Sequence, residues 1–302
     1  MPSFYKTTWM VLATLLWPAS PLCAQDTVPE WPTVEHALGR KGALLPGNVL
    51  KFSFPRSDLA VTVKGVQLRP ALALGSWVAF KRVGGSHAMV MGDLVLTEDE
   101  VSPVMAVLQK GGVEQTALHN HLIGESPRVL YMHISVYGEE TKIARVVHDA
   151  LLLTRTPLGA QAPTPPPAAF DMDTAAVAAT LGYVGKINGG VYQVSVPRVE
   201  TIFEDQMEVP VAMGIATAIN FQPTGGGKAA ISGDFVMTAV EVNRVVRALR
   251  DNGIAVTAMH SHMLAESPRL FFMHFWANDD AILLARALHT ALAMTNVVAA
   301  TQ

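Results

Sequence analysis

The chain repeats itself. A constant shift of 141 residues carries positions 92–151 onto 233–292 without a gap, and 24 of the 60 positions are identical. A repeat of that length is a duplicated domain rather than a solenoid of short units. Upstream the match loosens but persists. "SFPR" ending at Arg56 answers "SVPR" ending at Arg198, and "ALGRKG" (37–42) answers "TLGYVG" (180–185). Whatever fold suits one copy must suit the other. The uncharged, Pro- and Ala-rich stretch over 156–170 reads as a semi-rigid linker. The expected layout is a first domain at 31–157, a linker at 158–170 and a second domain at 171–298.

Each copy has the same plan. Short β-rich runs come first: "VLKFSFP", "VTVKGVQL", "WVAFKRV" and "AMVMGDLVL" in copy one. A helix then opens at Thr97 with Glu100 three residues on, and at Thr238 with Glu241. Both are capping boxes, in which the Thr oxygen and the Glu carboxylate satisfy free N–H groups at the helix start. An HxH strand follows, then a turn at "ESPR", then "VLYMHISVY" or "LFFMHFWA". A last amphipathic helix closes each copy, near 141–153 and 281–294. Strands and helices do not alternate, so a parallel βαβ design is disfavoured. The expected class is α+β, with a mainly antiparallel sheet and helices packed on one face. The "GGSH" and "GGGK" stretches at 84–87 and 225–228 align with each other and read as hairpin turns; the second lacks the spacing of a phosphate loop.

The N-terminus reads as an export signal. Lys6 precedes an apolar run over 7–17, and "PLCAQ" offers a small-residue cleavage site after Ala24. The run is short for a membrane span, and Leu22 before Cys23 makes a poor lipidation site. Membrane attachment is therefore expected only through an uncleaved signal or lipidation. The expected location is the periplasm or the exterior. Cleavage removes the single cysteine, which leaves no disulfide and no thiolate ligand. The mature chain carries a net charge of −4, from 21 basic and 25 acidic residues. That argues against nucleic acid as a partner; a local basic pocket for a small anion stays open.

Of 10 histidines, eight fall into matched pairs: His119/His260, His121/His262, His133/His274 and His148/His289. Residues two apart on a strand share a face, so His119 and His121 project together. If the hairpin is centred near Ser126, His133 joins that face. Three imidazoles would then converge in each copy as His119, His121 and His133, or as His260, His262 and His274. Such a set suits Zn²⁺ or another divalent ion. A one-residue shift in register would break the triad. Glu125 and Glu266 are candidates for a fourth ligand or a general base. Arg128, Arg269, Arg56 and Arg198 recur in both copies and could grip an anion, or serve as internal ion pairs. His148 and His289 lie on an apolar helix face, where a packed histidine is the simpler reading. No nucleotide cofactor is expected.

The doubled "H-x-H…ESPR…MH" pattern, the "GD" before the capped helix and the "ARALH" type of last helix resemble the LppY/LpqO-like exported bacterial proteins, the DUF1259 family. The resemblance covers both copies. It implies export and a tandem layout, and it brings no activity with it. Some members are described as lipoproteins, which Cys23 does not match. Three readings stay open from the sequence: a metal-binding protein that could be a metal-dependent hydrolase acting on an anionic or cell-envelope ligand, a metal-free module binding such a ligand, and a motif that only stabilises the fold.

Overall fold

The computed structural model describes residues 1–3, 30–159 and 170–299. Most of the expected signal at 1–24 and most of the linker at 158–170 fall outside them. In copy one, helix α1 (Pro32–Leu38) leads into β1 (Ala43–Leu45), β2 (Val49–Pro55), β3 (Thr62–Val63) and β4 (Val66–Gln67). Short helix α2 (Pro70–Ala73), β5 (Gly75–Gly84), β6 (His87–Thr97), α3 (Glu98–Lys110), β7 (Glu114–His119), β8 (Glu125–Ser126), β9 (Val129–Glu139) and α4 (Glu140–Leu151) follow. Copy two repeats the plan. It runs through α5 (Thr174–Leu181), β10 (Lys186–Asn188), β11 (Val191–Val196), β12 (Phe203–Glu204), β13 (Met207–Glu208) and a 3₁₀ turn at Val211–Met213. It continues with β14 (Thr217–Gly225), β15 (Lys228–Met237), α6 (Ala239–Asp251), β16 (Ala255–His260), β17 (Phe271–Asp280) and α7 (Ala281–Leu292).

Each copy builds one six-stranded sheet, in the orders β1-β2-β5-β6-β9-β7 and β10-β11-β14-β15-β17-β16. All paired strands are antiparallel. The α+β expectation holds. Both capping boxes form, at Thr97 with Glu100 and at Thr238 with Glu241. The glycine pairs sit in the β5–β6 and β14–β15 hairpin turns. The helices opening each copy, α1 and α5, were not foreseen. Each is a short run ending on a glycine in the left-handed region, Gly39 (φ 69) and Gly182 (φ 88). Those glycines are the ones the loose upstream match had aligned.

The helices cover one face of each sheet. In copy one, Trp31 and Val34 of α1, Val104 and Leu108 of α3 and Val147 of α4 pack on Phe52, Phe54 and Phe80. Full burial of each of those phenylalanines is worth roughly 1.5–3 kcal/mol. The opposite sheet face is also covered, and by the other copy. Ile202, Val209, Met213 and Ile215 of copy two pack with Val49, Met89 and Met91 of copy one. Reciprocally, Val61, Leu72 and Leu74 pack with Val191, Ala230 and Trp276. This explains why β6 and β15 are buried along nearly their whole length rather than on alternate residues. Residues 31–302 form one compact unit. Among the described residues, no helix is long and apolar enough to cross a membrane.

Candidate metal centre between the two copies

The centre forms where the two sheets face each other. On β9, His133 is paired with Asp93 of β6 on one side and with Ala117 of β7 on the other, while His119 lies opposite Tyr131. The hairpin register is therefore centred on Glu125, not Ser126. The centre moves by one residue and the strand pairing therefore by two, so His119 and His133 keep a common face and meet diagonally, with ring centroids 5.0 Å apart. Copy two repeats this: His260 lies opposite Phe272, and His274 opposite Asp234. The connection from β7 to β9 is a loop over 120–128 rather than a tight turn, and its β8 pairs with β3.

The same faces bring the two triads together. His119 stacks on His260 with centroids 3.7 Å apart, His121 on His274 at 3.6 Å, and His133 lies 3.8 Å from His262. Two groups lie within reach of one ion: His119, His260 and His274, and His133, His260 and His262. Both draw on the two copies. The expectation of a separate site in each copy, from His119, His121 and His133 or from His260, His262 and His274, is corrected. The same six histidines cluster, but the sheets stack face to face and merge the triads.

The backbone orients the rings. His274 Nδ1 donates to the Gly233 carbonyl at 2.8 Å, and His262 Nδ1 to the Gly214 carbonyl at 3.1 Å. The Gly92 backbone serves His133 in the same way. Each bond fixes the tautomer and leaves Nε2 with a free lone pair, the usual support of a metal-ligating histidine. Gly92 and Gly233 are the "G" of the duplicated "GD". A Cβ on Gly233 would meet the Ala218 carbonyl oxygen at 2.0 Å, so the strands can approach only without a side chain there.

The cluster is largely buried and under-bonded. Among the described residues, the buried side-chain atoms without a partner include His119 Nδ1, His121 Nε2, His133 Nε2, His260 Nδ1, Asp93 Oδ1 and Asp234 Oδ1. Ring nitrogens face each other: His119 Nε2 lies 3.3 Å from His274 Nε2, and His260 Nε2 lies 3.1 Å from His262 Nε2. Two nitrogens bound to one tetrahedral Zn²⁺ at 2.0–2.1 Å would lie about 3.3–3.4 Å apart. Burial, reinforced by neighbouring rings, pulls His119 down to about 3 and His121, His133 and His260 well below the usual value. Burial also lowers His274, against the pull of Asp234. These rings are therefore neutral at pH 7, the form that binds metals.

The carboxylates at the centre are Asp93 and Asp234, which the sequence analysis did not single out. Asp234 Oδ2 lies 3.1 Å from His262 Nε2, and Asp93 Oδ2 lies 3.7 Å from His121 Nε2. Burial and the nearby Asp234 push Asp93 up to about 8. Burial works to raise Asp234 too, but His274 and His262 more than offset it and hold it below the usual value. The duplicated "GD" was the signal that could have identified both.

The acid/base candidates lie elsewhere. Glu266 accepts from the Leu270 N–H at 2.9 Å and from Arg269 at 3.0 Å. Glu125 pairs along the backbone with Val63. Neither is bonded to a histidine among the described residues, so Asp93 and Asp234 take the place expected of them. Arg128 is exposed and contacts Glu98 at 3.3 Å, while Arg269 bonds Glu266 and the Met263 and Leu264 carbonyls in its own loop. The anion-binding expectation for Arg56 and Arg198 is corrected. Arg56 is fully buried. Its five N–H groups go to Asp58, Glu100 and the Val95 carbonyl. Arg198 does the same with Glu200, Glu241 and the Val236 carbonyl. Both lock the first turn of a capped helix to the sheet. His289 has the packing role expected, donating from Nδ1 to the Leu181 carbonyl at 2.9 Å.

A cavity of about 1160 Å³ reaches the cluster along the seam between the copies. Asp93, Asp234, His121 and His262 form part of its wall, with Lys51 and Trp77 beside them. Lys51 Nζ sits 3.9 Å over the Trp77 ring and donates to the Ala212 carbonyl at 3.2 Å. Burial pulls its ammonium down to about 8, against the attraction of Asp93. The matching contact in copy two runs from Gln193 Nε2 to the Ala71 carbonyl at 2.8 Å. At these matching positions of the cavity wall copy one thus has a lysine and copy two a neutral amide.

A match to the family described as Domain of Unknown Function (DUF1259) covers residues 32–152 and again 175–294. The chain belongs to the DUF1259 family. Both matched segments contribute three histidines and an aspartate to the centre. No curated protein matches the chain. Among solved structures, a trimeric bacterial microcompartment shell protein, PduB, is 12% identical over 84% of this chain and 93% of its own, with a TM-score of 0.21. EtuB from Clostridium kluyveri is 11% identical over 83% of this chain and 90% of its own, also at 0.21. At those scores neither likeness carries an argument here.

Proposed function

We propose that this DUF1259 protein binds a divalent metal ion, best matched by Zn²⁺, at one centre shared by its two copies. The observation that carries this reading is the set of unpartnered nitrogen and carboxylate atoms buried together at the inter-copy seam. Leaving a buried polar atom unpaired costs about 1–3 kcal/mol, so a cluster of them calls for a ligand that satisfies several at once. A dication does so, and six imidazoles with two carboxylates suit zinc better than magnesium or calcium.

The adjoining cavity is the place for a small organic anion, with Lys51 as its cationic contact. Such an ion supplies Lewis acidity and lowers the pKa of a water. Hydrolysis of a small anionic ester or amide is the reaction class this reading supports. Asp93 and Asp234, between the cavity and the rings, are then the groups that hold or pass a proton.

The test is metal content of untagged protein, followed by Zn²⁺ titration of chelator-treated protein by calorimetry. At least one ion per chain is expected. His260→Ala, at the residue common to both groups, should weaken metal binding. Protein that carries no metal and takes up none would end this reading in favour of a structural role.

A further inference from the structure

One tetrahedral ion takes four donors, yet the centre offers more. The reciprocal contacts between the copies show how the donors divide. Thr116 Oγ1 donates to the His262 carbonyl at 2.6 Å, and Thr257 Oγ1 donates to the His121 carbonyl at 2.6 Å. These are the same two positions, exchanged by the 141-residue shift. The copies are therefore related by an approximate twofold axis, and any ligand set off that axis has a twin.

His133, His260 and His262 form one compact group. The shift turns it into His274, His119 and His121. In that second set His119 Nε2 lies 3.3 Å from His274 Nε2 and the rings of His121 and His274 stack with centroids 3.6 Å apart, although its three nitrogens are drawn together less closely than those of the first. His260 also falls within reach of His119 and His274. Its Nε2, however, is directed at His262, at 3.1 Å, and one nitrogen lone pair binds one ion. This places His260 with His262.

Resting on the metal-binding reading above, we propose that the centre holds two divalent ions through exchanged triads. One ion takes His119 and His121 of copy one with His274 of copy two. The other takes His260 and His262 with His133. Asp93 pairs with His133 across the sheet and also lies 3.7 Å from His121; Asp234 pairs with His274 and lies 3.1 Å from His262. Each carboxylate thus lies between the two sets, where it can bridge the ions and offset their mutual repulsion. Two-metal sites of this kind hold their ions about 3.5–4 Å apart. Exchange of the third histidine also makes each ion a clamp between the copies.

Zn²⁺ stoichiometry and paired variants test this, scored on protein that melts cooperatively. The full-length protein should bind two ions. His119→Ala with His274→Ala, one from each copy, should leave one ion. His119→Ala with His133→Ala, both from copy one, should leave none. Should either alanine pair fail to fold, the Gln pair at the same positions replaces it. With separate sites in each copy the two outcomes would be reversed, and that result overturns the exchange. A stoichiometry of one overturns the two-ion centre while leaving the metal reading intact; zero overturns the metal reading itself.

Discussion

Thr116 of copy one holds the His262 carbonyl of copy two through a 2.6 Å hydrogen bond, and Thr257 returns the bond to His121. The hydroxyls hold the backbone next to ring-bearing residues, so the centre and the union of the copies depend on the same atoms. Thr116→Val keeps the shape and leaves a carbonyl short of its partner. A loss of about 1–3 kcal/mol is expected, read from the urea midpoint. Thr257→Val should behave alike. If the unaltered protein showed two separate unfolding transitions, the single cooperative unit would be wrong.

Acid should destabilise the metal-free protein. Folded-state values lie below the usual one for His121, His133, His260 and His274, and His119 is pulled down to about 3. Unfolded histidines titrate near 6.5. As pH falls from about 6.5 toward 3, the unfolded chain binds more protons than the folded one, so stability falls. Asp93, pushed up to about 8, works the other way. It keeps a proton that the unfolded chain releases above about 3.9, and its contribution fades as pH rises toward 8. The histidines outnumber it, so the denaturation midpoint at pH 5.5 should lie below that at pH 7. An unchanged midpoint would show that the rings are not buried as neutral groups.

Arg56→Ala should cost about 3–5 kcal/mol. The loss leaves Glu100 buried without its cation while it still caps α3 and accepts from the Arg155 N–H. Metal content per folded molecule should not change, since Arg56 makes no contact with the histidines. The measurement is a melt paired with metal analysis; loss of metal from well-folded Arg56→Ala protein would return this arginine to the site.

Lys51→Met should weaken binding of inorganic phosphate to the zinc-loaded protein by about tenfold, the scale of one charge-assisted hydrogen bond. Gln193→Lys, at the matching position, should strengthen it. Calorimetry on both variants reads the effect. Equal phosphate affinity in the two variants would remove Lys51 from the ligand contact.

Much of the centre was legible because duplication acts as an internal control. Residues that recur at one spacing while Asn120/Ser261 and Ser135/Trp276 diverge are those the fold or the site holds fixed. That reasoning found all six histidines and both helix caps. It could not separate roles among the recurring residues. Arg56 and Arg198 recur for a buried ion pair, and Asp93 and Asp234 for the centre, yet all four look alike on the page. Burial and partner distance distinguish them, and both depend on what the neighbouring strands bring.

Local chemistry was decided by the sequence alone. Capping boxes, hairpin glycines and the α+β pattern follow from interactions a few residues apart, and the HxH spacing puts two rings on one face whatever the surroundings. Only the tertiary structure decided which triads meet. The continuous burial of β6 and β15 needs a cover on the second face, and the other copy supplies it. Packing two sheets face to face to exclude water brings His133 to His262 and His274 to His121. Contacts more than a hundred residues apart, set by that burial and not by any local spacing, turned two expected sites into one.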